Sequence, residues 1–378
     1  MERRRSCIKK RKVRKSVYIA RRIAALILFA LLIWGISALC GKIISVVREK
    51  DGPEGPVQPD PPKNTVSYVV DPYRNTDSDI IAGYIKKLEE MHPDLISSFS
   101  IGKSAEGRDI MGVRLGRGDT EIIMTGSTHA CEYFTSDYLM YVIDRYAVGY
   151  FEDERAGDVS YRDILDKVTF LIIPMVNPDG VNIALHGPDA AKDPDKIKSM
   201  TLADGGYDEW KCNANGVDIN RNFPYNWNPE YASEDKPASK YYPGPYPASE
   251  PETQAVMAFF ENTDYALHID FHIHGEVIFW KDNGEFRRQD LLEPLIEELY
   301  KVTGYEDAGE IDVEEFGGFL ENYACNTFHK PGFTLELATN VPYDASGFDS
   351  AVNDGVYRTP LIAAKWILEN RDRLSETE

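Results

Sequence analysis

"TEIIMTG", residues 120–126, runs straight into "STHACEYF", residues 127–134. The first stretch is apolar and β-rich up to its closing glycine, and reads as a buried strand. The second sets His129, Cys131 and Glu132 within four positions, just past that strand's carboxyl end. Three more runs have strand character. "VTFLIIPMVNPDG" (168–180) closes in an Asn-Pro-Asp-Gly turn, "YALHIDFHIHG" (265–275) alternates, and "GFTLELA" (332–338) is short. Helical patterns fall at 78–91, 132–147, 251–262, 289–302 and 356–371. Apolar strands interleaved with helices predict an α/β fold in three layers, α/β/α, with a mostly parallel sheet covered on both faces. Ligands of such sheets gather beyond the carboxyl ends of the strands. His129, Asn177, His272 and Glu336 all fall at or near those ends, so four segments deliver polar groups to one edge. The stretch 183–250, rich in Gly, Pro, Tyr and Asn, is expected to form loops over that edge.

Charge divides the 378 residues unevenly. The formal net charge is −20, yet residues 1–50 hold 14 Lys and Arg against 2 Asp and Glu. The remainder holds 28 basic against 60 acidic residues, a net of −32. So acidic a body argues against nucleic acid, whose phosphates need Lys and Arg; its plain consequence is solubility. At the amino end a basic segment, 1–22, precedes 19 uncharged residues, Ile23–Gly41. As a helix these span about 28 Å, close to the hydrocarbon thickness of a bilayer. The apolar core of a signal peptide is shorter, about 7–15 residues. The reading is a transmembrane signal anchor over 23–47, with the basic end cytoplasmic and the rest outside; cleavage and secretion is the alternative. A lipid anchor at Cys40 is disfavoured by bulky Leu39. Residues 48–64, dense in Pro and Gly, read as a stalk, and 65–378 as one catalytic domain. Cys131, Cys212 and Cys325 are too few for a disulfide framework. A bond between Cys131 and Cys212 stays open.

The histidines narrow the chemistry. His268, His272 and His274 alternate along one strand and point to one face, with Asp270. His268 is expected to be a hydrogen-bonded core residue; His272 and His274 lie nearest the strand's end. Zinc takes imidazole nitrogen and carboxylate oxygen, and a catalytic site keeps a position for water. His129, Glu132 and one of these histidines would make such a set. "GVDINRNF", residues 216–223, adds Asp218, able to hold a ligand imidazole by its second nitrogen. The rival is Cys131 as a nucleophile with His129 as its base, which leaves Glu132 and Glu336 without roles.

"HACE", "NPDG", "GVDINRNF", "DFH" and "FTLEL", in that order, resemble the carboxypeptidase A family of zinc metallocarboxypeptidases, over roughly residues 70–370. "WKCNANGVDINRNFPYNW" and "HIDFHIHGEVIFW" are similar to its bacterial branch of γ-D-glutamyl-diaminopimelate peptidases. The resemblance implies a central mixed, mostly parallel twisted sheet and one zinc ion. It implies His129, Glu132 and His272 as metal ligands, and Asp218 behind His129. Glu336 would be the general base for a zinc-activated water, and Lys211 a cation for the oxyanion. Asn220 and Arg221 would hold a substrate carboxylate, a match for a guanidinium fork. Asn177 and Asp179 read most simply as turn residues. Two features depart from the family: Cys131 stands where Arg is common, and no counterpart of its capping Tyr is found. The expected substrate is a peptide or a peptidoglycan stem peptide with a free carboxylate. The alternatives are a general carboxypeptidase acting on protein C-termini, and an inactive wall-binding or peptide-binding module.

Overall fold

The computed structural model describes residues 68–200, 206–282, 289–312, 317–338 and 348–375. Among them lie eight strands of one sheet: β1 (Ile96–Lys103), β2 (Asp109–Gly116), β3 (Thr120–Gly126), β4 (Val168–Ile173), β5 (Tyr265–Ile273), β6 (Val277–Phe279), β7 (Glu306–Asp307) and β8 (Gly332–Leu337). Their spatial order is β1-β2-β4-β3-β5-β8-β6-β7. The central four, β4, β3, β5 and β8, are parallel; β1, β2 and β6 bring antiparallel pairings to the flanks. The sheet is therefore mixed.

Neighbouring residues of β3 pack into two different cores. Ile122 and Met124 join one, with α1 (Ser78–Met91), α2 (Phe134–Phe151), α5 (Gln289–Thr303) and α7 (Asp354–Ser375). Ile123 joins the other, with α4 (Pro251–Glu261) and α6 (Leu320–Phe328). Period-two alternation with apolar residues on both sides is what a sheet covered on both faces requires. The three-layer expectation is met, and the five expected helices appear within a few residues of their bounds.

One local expectation is corrected. The Asn-Pro-Asp-Gly run does not simply turn; it opens α3 (Pro178–His186). Asn177 Oδ1 accepts the Gly180 N–H at 3.0 Å, and Pro178 fills the first helical position, where a missing N–H costs nothing. Beyond the end of α3, the described part of the stretch 183–250 is mostly loop, broken by short helices. No helix among the described residues is long and apolar enough to cross a membrane. The expected anchor at 23–47 and stalk at 48–64 lie outside the described residues.

Candidate metal centre and active site

Three parallel strands end at the same edge, and between them they deliver four side chains there. β3 ends at Gly126, and the chain turns through Ser127 in a left-handed conformation, φ 49°. The Ser127 N–H donates to Thr135 Oγ1 at 2.7 Å, and the Thr135 hydroxyl donates to the Glu132 carbonyl at 2.9 Å. These bonds close a single 3-10 turn, Ala130–Glu132, that puts His129 and Glu132 on one side. β5 delivers His272, and β8 delivers Glu336, its direct neighbour in register.

His129 Nδ1 lies 2.8 Å from Glu132 Oε1, and His272 Nδ1 lies 2.8 Å from Glu132 Oε2. The outer nitrogens face other carboxylates. His129 Nε2 is 3.3 Å from Asp218 Oδ1, and His272 Nε2 is 3.1 Å from Asp270 Oδ2. All of these residues are buried. Each imidazole thus stands between two carboxylates, and a neutral ring has only one N–H to give. A divalent cation among the two Nδ1 lone pairs and Glu132 resolves this, leaving each Nε2–H for its outer carboxylate. One ligand atom from each of His129, Glu132 and His272 lies within 4.8 Å of the others, a span that one ion fills. The donor set fits zinc. His274 borders the same cavity but is not in this set.

The electrostatics favour charge at this point. Burial opposes ionisation of Glu132, yet His129, Lys211 and His272 outweigh it and hold the carboxyl well below its usual value. Asp218 and Asp270 are likewise buried, and likewise held down by the imidazoles they face. The Asp218 carboxylate is anchored by its second oxygen, which accepts the Tyr241 N–H at 3.2 Å. Asp270 accepts the Thr125 hydroxyl at 2.6 Å, and Thr125 Oγ1 lies 2.9 Å from His268 Nε2, so His268 is the expected hydrogen-bonded core residue. The roles of Asp270 and of the Tyr241 backbone are not visible in the sequence. The first is one more carboxylate on a strand, and the second is only a peptide N–H.

Around this centre opens a cavity of about 570 Å³. Lys211, Asn220, Arg221 and Glu336 line it together with His129, Glu132 and His272. Lys211 Nζ donates to Glu132 Oε1 at 2.9 Å; burial works against its charge, but Glu132 raises its pKa and keeps it an ammonium. Asn220 Oδ1 accepts the Leu320 N–H at 2.9 Å, fixing the start of α6 against the Ile219–Arg221 turn. Gly318 makes that approach possible: at φ 86°, an added Cβ would stand 2.5 Å from the Arg221 carbonyl oxygen. The Arg221 guanidinium lies 4.4 Å above the Phe319 ring, and its Nη1 donates to the Asn220 carbonyl at 2.8 Å. Among the described residues it has no carboxylate partner, so it is not spent in a structural ion pair. Glu336 is half-buried; burial first, then the Glu132 charge, push its carboxyl up to about 7, with His272 pulling the other way.

Two other expectations concern sulfur. Cys131, Cys212 and Cys325 are all buried, and Cys131 and Cys212 are not bonded to each other. Burial, then Glu132, push the Cys131 thiol up to about 12. A thiol so protonated is no nucleophile at neutral pH, which removes the cysteine rival. Asn177 and Asp179, read as turn residues, are buried anchors: Asp179 takes the Ser104 hydroxyl at 2.8 Å and the Arg108 guanidinium at 2.6 Å.

The fold and this donor set define a zinc-dependent peptidase. The sequence pattern of the zinc carboxypeptidase family matches residues 81–338, and the chain belongs to that family. Among its relatives is the gamma-D-glutamyl-L-diamino acid endopeptidase 1 of Lysinibacillus sphaericus, 28% identical over 294 residues, 76% of this chain and 72% of the relative. Carboxypeptidase B of Astacus astacus is 28% identical over 200 residues, 52% and 59% of the two chains. Among solved structures, thrombin activatable fibrinolysis inhibitor superposes with a TM-score of 0.61 at 21% identity, over 79% of this chain and 78% of that one. Carboxypeptidase A from Helicoverpa armigera gives 0.60 at 19%, over 80% and 76%. At such identities the structural likeness shows the fold.

Proposed function

We propose that this zinc carboxypeptidase cleaves a peptide bond beside a free carboxylate, and that its substrates are peptidoglycan stem peptides. One observation carries the reading: the His129–Glu132–His272 donor set, the half-buried Glu336 and an Arg221 with no carboxylate partner among the described residues border a single cavity. Bound zinc would supply a Lewis acid that polarises the scissile carbonyl and makes an attacking water more acidic. The chain's own residues do the rest. Asn220 and Arg221 hold the substrate carboxylate and so set the peptide's register. Glu336, with a carboxyl poised near neutrality, takes the water's proton and passes it to the leaving amine. Lys211, kept charged by Glu132, stabilises the oxyanion that forms at the scissile carbonyl. Asp218, facing His129 Nε2, favours the tautomer that would leave Nδ1 free to ligate a metal.

A wall- or peptide-binding module needs no general base, and Glu336 argues for turnover. Stem peptides are favoured over protein C-termini because the match to a gamma-D-glutamyl-L-diamino acid endopeptidase spans more of the chain than the match to a carboxypeptidase B. The deciding experiment incubates the zinc-loaded protein with muropeptides and with a linear peptide library, and reads products by mass spectrometry. Cleavage of linear peptides alone would sink the stem-peptide reading. Anchoring in the membrane, with the catalytic domain outside, rests on the basic run before Ile23–Gly41. Protease added to intact cells should then reach the catalytic domain but not a tag placed ahead of Arg3; protection of the domain overturns that topology.

A further inference from the structure

Asn177 stands where β4 gives way to α3, and it is fully buried. Its Oδ1 caps the helix, but Asp or Ser caps a helix as well as Asn does, so capping leaves the amide nitrogen to be explained. That nitrogen donates to the Thr128 carbonyl and to the Lys211 carbonyl, each at 3.4 Å. Thr128 leads directly into His129, and Lys211 carries an ammonium of the cavity wall. The same two segments meet twice more. The Ala130 N–H donates to the Lys211 carbonyl at 3.0 Å, and Lys211 Nζ donates to Glu132 Oε1 at 2.9 Å. The sheet holds Asn177 from its own side: the Asn177 N–H donates to the Ser127 carbonyl at 3.2 Å, and the Val176 N–H to the Gly126 carbonyl at 3.0 Å. Gly180 lets α3 come close. An added Cβ there would stand 2.3 Å from the Cys212 carbonyl oxygen and 2.6 Å from both ends of the Asn177 amide.

We infer that Asn177 is a positioning residue: its amide nitrogen fixes the main chain of Lys211 against the turn that carries His129 and Glu132. A lysine side chain is long and flexible, so its ammonium is only as well placed as the backbone beneath it. Glu132 draws that ammonium toward the metal ligands, and the backbone bonds limit how far it moves. Two bonds of 3.4 Å are individually weak. Their effect comes from one planar, fully buried group lying across both segments, so that neither shifts without breaking a bond that water cannot replace. Asp in its place would keep the cap but turn a carboxylate on the two carbonyls. A misplacement of about 1 Å costs about 100-fold in rate, which sets the size of the expected effect. The inference rests on the oxyanion role proposed for Lys211.

The test uses the full chain loaded with zinc and two ligands read by calorimetry. One is a phosphinic analogue of γ-D-glutamyl-diaminopimelate, whose tetrahedral centre carries the charge of the oxyanion. The other is free diaminopimelate, which lacks that centre. Asn177→Ser, which keeps a cap and loses the nitrogen, should weaken the phosphinic analogue by about 10- to 100-fold and leave diaminopimelate within about threefold. In hydrolysis the same loss should fall on kcat and spare KM. In a Lys211→Met background, where the ammonium is already gone, adding Asn177→Ser should cost less than about threefold more. Equal losses on the two ligands, or a loss that multiplies in full onto that of Lys211→Met, overturns the inference and leaves Asn177 a helix cap. Asn177→Asp repeats the comparison if the serine variant does not fold. If wild type neither cleaves the peptide nor prefers the phosphinic analogue, the proposed function fails by itself. Hydrogen exchange on the zinc-free chain then decides the inference. Asn177→Ser should speed exchange of the Ala130 N–H, which donates to Lys211, by about tenfold or more while the amides of β3 keep their rates; an unchanged Ala130 rate overturns it.

Discussion

Replacing Glu336 by Gln separates chemistry from binding. Glu336 is the register neighbour of His272 on the adjacent parallel strand, about 4.8 Å away across the sheet. It therefore sits beside the metal centre without being one of the three convergent ligands. Its carboxyl, pushed up to about 7 by burial and by Glu132, is a good proton acceptor near neutral pH. The amide keeps size and shape but accepts no proton. A positioned acid–base group contributes about 10²–10⁴-fold, and this one serves both the attack and the departure. The expected loss in kcat is about 10³–10⁴-fold, or about 4–5.5 kcal/mol in barrier. The assay pairs steady-state kinetics with elemental analysis and with binding of the product amino acid. Zinc content and product affinity should stay near wild type. The pH profile adds a check. A carboxyl raised to about 7 is protonated and inactive below that value, so turnover rises with pH through it, and bound zinc moves the midpoint lower. A variant that keeps kcat within about tenfold refutes the assignment, since no general base is worth so little. Loss of zinc would instead make Glu336 a structural support of the metal site.

Three further outcomes follow from the same geometry. Elemental analysis should find one zinc per chain, and none after His129→Ala combined with His272→Ala; full occupancy in that double variant rejects these ligands. Carboxyl-amidation of a good substrate should cost wild type about 30- to 1,000-fold in kcat/KM, and Arg221→Ala should cancel most of that discrimination; a variant that discriminates as well as wild type points to another reader. Glu252, pushed up to about 7 by burial, has a folded value above its unfolded one, so its stabilising contribution is full below about 4.3 and is lost as pH rises through 7. Glu252→Gln should accordingly shrink the stability difference between pH 5 and pH 8 by about 2 kcal/mol in denaturant titrations, and an unchanged difference rejects the shift.

The parts of the fold that could be read from the chain are those where one physical demand dominates. β3, β4, β5 and β8 are largely buried on both faces, and apolar and β-branched residues dominate them, with polar side chains kept mainly for the site. β1 and β2 escaped notice because "ISSFSIGK" and "DIMGVRLG" are half-exposed, and their Ser, Gly and charged residues blur the alternation. α6 escaped because nine residues give only about two and a half turns of pattern, and it carries Glu321 and Asn322 with it. At "NPDG" one set of residue types serves both a turn and a helix start, and only the following chain decides. In the site, residue type alone offered His129, Glu132, Asp218 and one of His272 and His274; the choice of His272 and a role for Glu336 came only with the family resemblance. What could not be named depends on register or backbone. Asp270 matters because β5 lies next to β3, which brings it to Thr125, and Tyr241 matters only through its N–H.

The charge of the body sets a condition that the cavity must meet. The segment 51–378 carries a net of −32, while the anionic substrate proposed above would have to reach Arg221 and Lys211. At physiological salt, interactions between exposed charges fade beyond about 8 Å, so the two cavity cations act on a substrate that has already arrived. Before arrival, the acidic surface dominates and repels it. The two effects respond oppositely to salt. Repulsion at a distance is screened, whereas a contact in a partly dry cavity is screened far less. Raising ionic strength from about 10 to 150 mM should therefore raise kcat/KM for a substrate bearing several carboxylates, through the association step, by about two- to tenfold. The carboxyl-amidated twin should respond less, and Arg221→Ala should lower the rate of the carboxylate substrate without altering its salt slope. Rapid-mixing measurements across that salt range decide the matter. A rate that falls with salt would mean that the cavity's cations steer the substrate from afar, and that the acidic surface lies away from its path.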